Sequence, residues 1–289
     1  MAWRNYPGDA GRRPRVAHQL HQLLRRLHTF DQRTAVGKQA INSGTARLNG
    51  VDTTRGLAML WMTAYHFCFD LNQTRYIQQD FYADPVWTWQ RTGILSLFLL
   101  CAGAGQALAL HNGQSWRHFG RRWLQIAGCA ALVSLGSWVV FPGSFIYFGV
   151  LHGMAVMLVI ARLTAGSGLW LWPLGLLAIA MKYIAAYAMD AGAAGTFAHI
   201  LNGRWLNWLG LVNQLPVTED YVPLVPWMGV MWWGMAGTQW WLARSKAVPA
   251  KVISGLNPLA FLGRWSLSYY MLHQPVMLAL LSLWALLSR

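Results

Sequence analysis

Residues 55–70 read RGLAMLWMTAYHFCFD, an apolar run with Arg55 at one end and His66 and Asp70 toward the other. Arg55 and His66 are eleven positions apart. At about 100° and 1.5 Å per residue this is three helical turns plus roughly 20°, so both side chains share one face about 16 Å apart along the axis. Asp52, Thr63 and Asp70 fall within about 80° of the same line. A narrow polar stripe, Asp52, Arg55, Thr63, His66 and Asp70, therefore runs along a helix otherwise made of Leu, Met, Phe and Trp. A helix of this composition belongs in lipid or in a deep core. Ionisable groups at membrane depth cost a few kcal/mol each and are normally kept for a function. The stripe is the leading candidate for a site.

Working outward, the rest of the chain repeats the theme. Of 289 residues, 55% are hydrophobic and 11% charged, with 18 Trp, and apolar segments recur between polar punctuation. These features predict an all-α integral membrane protein with about seven spans, near 53–71, 86–110, 123–141, 145–161, 169–188, 222–242 and 265–287. No short apolar core with a small-residue cleavage site stands near the start, so the first span is expected to act as an uncleaved anchor. Cys68, Cys101 and Cys129 all fall in spans without metal-ligand spacing and read as small packing hydrophobes. No metal site is expected.

The net charge of +14 would suggest nucleic acid if it were clustered on a soluble face. Mapped onto alternate loops it has another meaning. Residues 1–47 carry nine Lys/Arg against Asp9 and Asp31; Arg117, Arg121, Arg122, Arg162, Arg244, Lys246, Lys251 and Arg264 follow on the same side. The opposite loops carry Asp80, Asp84, Asp190, Glu219 and Asp220 against Arg75 and Arg204. The positive-inside rule then places the N-terminus in the cytoplasm and the C-terminus outside, and no nucleic-acid partner is expected. Residues 1–46 form a separate basic tail: VAHQLHQLLRRLH at 16–28 gathers Val16, Leu20, Leu23, Leu24 and Leu27 on one face, the pattern of an amphipathic helix on anionic lipid, and 29–46 reads as a linker.

Several blocks carry a resemblance. RLNGVDTTRGLAMLWMTAYHFCFDL at 47–71 resembles the opening signature of the heparan-alpha-glucosaminide N-acetyltransferase catalytic-domain family, and its Arg-to-His spacing is shared with the broader acyltransferase-3 membrane enzymes. WTWQRTGILSLFLLCAGAGQALAL at 87–110, the pair Arg121–Arg122, FGVLHGM at 148–154, DYVPLVPWMGV at 220–230 and GRWSLSYYMLHQPVML at 263–278 are similar to further blocks of that family in the same order. The resemblance covers 47–287 and gives a domain organisation of tail, 1–46, and transmembrane acyltransferase domain, 47–289.

The resemblance implies an enzyme that takes an acetyl group from cytoplasmic acetyl-CoA and delivers it to an amino or hydroxyl group on the far side. An anionic donor suits Arg47, Arg55, Arg121, Arg122 and Arg264 at the inner ends of the spans. His66 lies toward the outer side, where a near-neutral imidazole can act as general base or carry the acetyl group itself. Asp70, one turn on, is expected to hold the His66 tautomer as a carboxylate does in hydrolase triads. Asp52 continues the stripe inward. His152 and His273 lie in recurrent blocks and read as pocket residues or as polar packing contacts. Asp220, followed by Pro223 and Pro226, marks a turn into a span or a contact to the acceptor.

Two rival classes remain open at this point: a transporter or lipid-handling protein, for which buried charges and Gly-rich spans are natural, and a haem protein ligated by His66, His152 and His273. The transferase reading also explains why the basic charge faces the compartment that holds CoA. A bacterial inner-membrane location, an envelope glycan or glycolipid as acceptor, contact with membrane lipid and a possible homo-oligomer complete the expectation.

Overall fold

The chain was analysed as a computed structural model that describes residues 50–192, 195–244 and 258–288. The amphipathic helix expected at 16–28, Arg47, Lys246 and Lys251 lie outside the described residues. Those that are described belong to one compact unit and are helical throughout, apart from turns and one isolated parallel bridge between Phe148 and Tyr221. The helices are α1 (50–73), α2 (Pro85–His111), α3 (Trp116–Val140), α4 (Val150–Leu163), α5 (Leu171–Asp190), α6 (Thr196–Asn202), α7 (Leu224–Arg244), α8 (Pro258–Arg264) and α9 (Ser266–Leu287).

Local chemistry sets the ends. Asp84 precedes Pro85, accepts a 2.8 Å bond from the Val86 amide and so starts α2, where a fixed proline φ costs nothing because no amide is needed. Ser115 caps α3 by accepting from the His118 amide. A helix sits at each expected span. Four helical stretches, Pro85–His111, Trp116–Val140, Ala165–Asp190 and Ser266–Leu287, are long and apolar enough to cross a membrane. The chain is accordingly a helical membrane protein.

The span expected at 145–161 departs most from its reading. Helix α4 has 14 residues, which at 1.5 Å each is about 21 Å, short of a hydrocarbon core of about 30 Å. The cause lies upstream. Pro142 and Gly143 break the helix after Phe141, the chain turns over 142–144, and the Phe148 carbonyl then accepts from the Val222 amide.

Two cores position the rest. One surrounds α7, where Met228, Met231, Met235 and Ala236 pack with Leu95 and Leu99 of α2, Met157 of α4 and Leu171 of α5. The other surrounds the middle of α1, where Met59, Met62 and Tyr65 pack on Phe81 and Ile94, with Tyr269 and Tyr270 of α9 against them. Phe81, in the loop between α1 and α2, stacks on Trp87 with centroids 4.1 Å apart and anchors that loop.

Candidate active site

Every member of the α1 stripe meets α8 or α9. Asp52 lies 3.7 Å from Nε of Arg264 at the end of α8 and 3.2 Å from Nη1 of Arg55. Arg55 also reaches the carbonyls of Gly263 and, on α2, Cys101, each at 3.5 Å. Thr63 Oγ1 and the Tyr269 hydroxyl are 2.6 Å apart. His66 Nδ1 is 2.9 Å from Nε2 of His273, and Asp70 Oδ1 accepts from Gln274 Nε2 at 2.7 Å. Spacing makes this possible: Tyr269 and His273 are four residues apart and share one face of α9, as Thr63, His66 and Asp70 share one face of α1. At the N-terminal end of α1, α8 comes close enough that a Cβ on Gly263 would overlap the Asp52 carbonyl, and one on Gly56 the Leu259 carbonyl.

The histidine pair has a defined proton order. His273 Nδ1 lies 2.8 Å from the Tyr270 carbonyl, which can only accept, so that nitrogen carries a proton. In a neutral pair His273 Nε2 is then a lone-pair acceptor, and His66 Nδ1 must donate to it. His66 is left with an unprotonated Nε2, the nitrogen a general base needs. Ring packing fixes both imidazoles: they stack at 5.1 Å, Tyr269 stacks on His273 at 5.8 Å and 7°, and Tyr65 sets its edge on His66. His273 is buried whereas His66 is partly exposed, so His66 is the accessible member.

The carboxylate expected to hold His66 is elsewhere. Asp70 sits one turn further along α1 and is occupied by Gln274, while His273 takes the position on Nδ1 that a triad acid would have. One turn of helix brings two residues onto one face, but it does not decide which of them a neighbouring helix will meet.

The remaining candidates separate. Arg122 is close enough for its charge to act on Asp52, and Arg121 lies exposed beside it in the first turns of α3. His152 bonds neither other histidine: its Nδ1 accepts from the Gly149 amide and its Nε2 meets Ser134 Oγ at 2.9 Å, so it closes the start of α4. His66 and His273 are therefore paired with each other, and His152 is bonded apart from them. Asp220 caps the same helix from the other side, Oδ2 accepting from the Val150 amide at 2.7 Å, in space that a side chain on Gly149 would fill. Burial pushes the Asp220 carboxyl above the ordinary range, against the Val150 and Tyr221 amides and the charge of Arg91. The turn reading of Asp220 thus has a concrete structural partner.

Against this geometry, the family model described as "Heparan-alpha-glucosaminide N-acetyltransferase, catalytic" matches residues 47–275. The chain belongs to that family. The match opens just before the stripe and closes at Pro275, so all four residues of the pairs His66–His273 and Asp70–Gln274 lie within it. No curated protein and no solved structure matches the chain. Membership in this acetyltransferase family makes the transferase the reading to develop over the transporter and the haem protein. Three contributors lie outside the sequence reading: Tyr269, Gln274 and the Tyr270 carbonyl. The first two carry a signal, since SYYMLHQP places a second polar face opposite the α1 stripe; a backbone carbonyl carries none.

Proposed function

We propose that the chain is an acetyl-CoA-dependent membrane acetyltransferase that moves an acetyl group from the cytoplasmic side to an amino or hydroxyl group of an extracytoplasmic glycan or glycolipid. The observation that carries the reading is the ordered chain from the Tyr270 carbonyl through His273 to His66, which leaves His66 Nε2 free as a base on the accessible side of the pair. His66 takes the proton of the acceptor's nitrogen or oxygen as that atom adds to the thioester carbonyl, and can return it to the departing thiolate. His273 holds the tautomer and shares the positive charge that His66 gains.

The inner end of the stripe suits the donor. Among the described residues Arg55, Arg122 and Arg264 gather about the carboxylate of Asp52, and Arg264 is 57% exposed, a basic cluster of the kind that suits phosphate. Arg55, held by Asp52 and two carbonyls, orders the cluster; Arg264, Arg121 and Arg122 are placed to meet an anion, and Arg47 joins them in sequence. The orientation belongs to the same proposal: N-terminus in the cytoplasm of a bacterial inner membrane, seven helical segments in the membrane with α4 the short one, and the acceptor on the opposite side. His152 and Asp220 then hold the start of α4 rather than the substrate.

The test uses detergent-purified full-length protein with labelled acetyl-CoA. His66→Ala is expected to bind donor and to lose transfer by at least about a hundredfold, the usual contribution of a positioned base. Without acceptor, no stable label should remain on His66 if transfer is direct. Label that forms there and is chased by acceptor would replace the base by an acyl carrier, and a fully active His66→Ala enzyme would remove the assignment.

A further inference from the structure

Asp70 Oδ2 and Gln274 Oε1 are buried without a hydrogen-bond partner, although the groups that own them already bond each other through Oδ1 and Nε2. Asp70 is 2% exposed. Among the described residues no ion pair reaches it, and the side-chain hydrogen bond it makes is to Gln274, which adjoins His273 on α9, while His66 lies one turn back on its own helix. An ionised carboxylate has acceptors only, so it leaves Oδ2 and Oε1 both waiting for hydrogens that no neighbour supplies. Buried polar groups are rarely left so.

One proton removes both vacancies. As a carboxylic acid, Asp70 donates from Oδ2 to Gln274 Oε1 while its Oδ1 accepts from Nε2, and two parallel hydrogen bonds close a ring. The two waiting oxygens belong to groups already joined at 2.7 Å, so rotation about that bond is enough to bring them together. Reversing the amide leads to the same place, because Oε1 against Oδ1 at that distance requires the acid proton for the contact itself.

We infer that Asp70 is a neutral acid joined to Gln274 in a two-bond ring that fixes α9 against α1. Gln274 adjoins His273, and Asp70 is one turn from His66, so the ring sets the position in which His273 Nε2 meets His66 Nδ1. Asp70 is then a positioning residue that supplies geometry, where a triad acid would supply charge. Its functional consequence rests on the role proposed for His66; its protonation state does not.

The experiment compares parent, Asp70→Asn and Asp70→Ala, each as full-length protein in detergent. Infrared difference spectra of the parent against Asp70→Asn should show loss of a protonated-carboxyl stretch. Asparagine can rebuild the ring, donating from its amide to Oε1 and accepting from Nε2, so Asp70→Asn should melt close to the parent and keep transfer within about threefold. Asp70→Ala should melt lower and lose more than about tenfold in transfer. A carboxylate band lost from Asp70→Asn, as a bridging water beside an ionised Asp70 would give, overturns the inference. So does an Asp70→Asn as damaged as Asp70→Ala. If the alanine variant does not fold, the infrared band and the asparagine melting point still decide. The infrared result is read without activity, so it stands apart from an active His66→Ala, which would instead sink the proposed mechanism.

Discussion

Helices α1 and α2 lie in one compact unit, yet they are held by different means. Helix α2 meets α7 through apolar side chains and bare backbone: a Cβ on Gly103 would overlap the Met231 carbonyl, and one on Gly234 the Leu100 carbonyl. Among the described residues, helix α1 has bare backbone of the same kind only against α8, at Gly56 and Gly263, and adds to it a ladder of polar contacts to α8 and α9 that runs from Asp52–Arg264 at one end to Asp70–Gln274 at the other. In lipid there is little hydrophobic gain from pairing two helices, so small residues that let backbones approach are a sufficient glue. The first seam needs nothing more. A polar seam of this length exceeds what association requires, and polar contacts inside membrane proteins return only about 0.6 kcal/mol on average. The excess points to chemistry at one rung, His66–His273, with the other rungs holding it in place.

The largest effect expected from breaking this contrast is on His273. His273→Ala frees His66 Nδ1 from its acceptor and lets the proton sit on either nitrogen, so transfer should fall by roughly a hundredfold, equivalent to about 2.7 kcal/mol in the barrier. The melting temperature should move little. A variant that melts far below the parent with unchanged transfer per folded molecule would make this rung glue like the rest.

Next comes the opposite seam. Gly234→Val forces a branched side chain onto the Leu100 backbone, which has no flexible end to yield, and overpacking of this kind costs about 1–3 kcal/mol. Thermal unfolding should shift down and expression should fall, while the folded fraction should transfer at the parental rate. Full stability in Gly234→Val would mean that α2 and α7 have slack between them.

A smaller effect is expected at the inner end of the polar seam. Arg264→Gln removes the more exposed of the two guanidinium groups on Asp52 and should weaken acetyl-CoA binding by about 1.5 kcal/mol, the lower end for a charged hydrogen bond. Calorimetry with the donor alone reads this directly. Unchanged affinity would move the donor site away from the stripe.

Much of this contrast was legible in the sequence because helical periodicity is local. The α1 stripe follows from residue spacing alone, and each of its five members does face a neighbouring helix. Its partners follow less readily, since spacing cannot say which helix lies opposite or at what register. That is why spacing alone pairs Asp70 with His66 when Gln274, 204 positions away, is its partner. Helix α4 misled for another reason. Hydropathy continues through Phe145, Ile146, Tyr147 and Phe148, but Pro142 had already ended the helix and the chain turns before it meets Val222. Asp220 and His152 were visible as polar residues near a span; His152 closes the start of α4 through a local bond from the Gly149 amide, whereas the bond from the Val150 amide to Asp220 joins residues 70 positions apart, which no local pattern encodes.

The smallest prediction concerns a rung without proposed chemistry, Thr63–Tyr269. The Tyr269 ring also lies on His273, 5.8 Å between centroids and nearly parallel, so its removal would blur packing with hydrogen bonding. Thr63→Val and Tyr269→Phe avoid this by deleting one hydroxyl each and keeping shape. The Thr63 hydroxyl already bonds the Met59 carbonyl on its own helix, which leaves the interhelical bond little to add. A double-mutant cycle on thermal unfolding should return a coupling of about 0.6 kcal/mol, the average for such contacts in lipid. Transfer should be near parental in both single variants. If instead Tyr269→Phe alone lowers transfer tenfold or more, the Tyr269 hydroxyl acts at the reacting atoms, and the boundary between chemical rung and holding rung must be redrawn to include it.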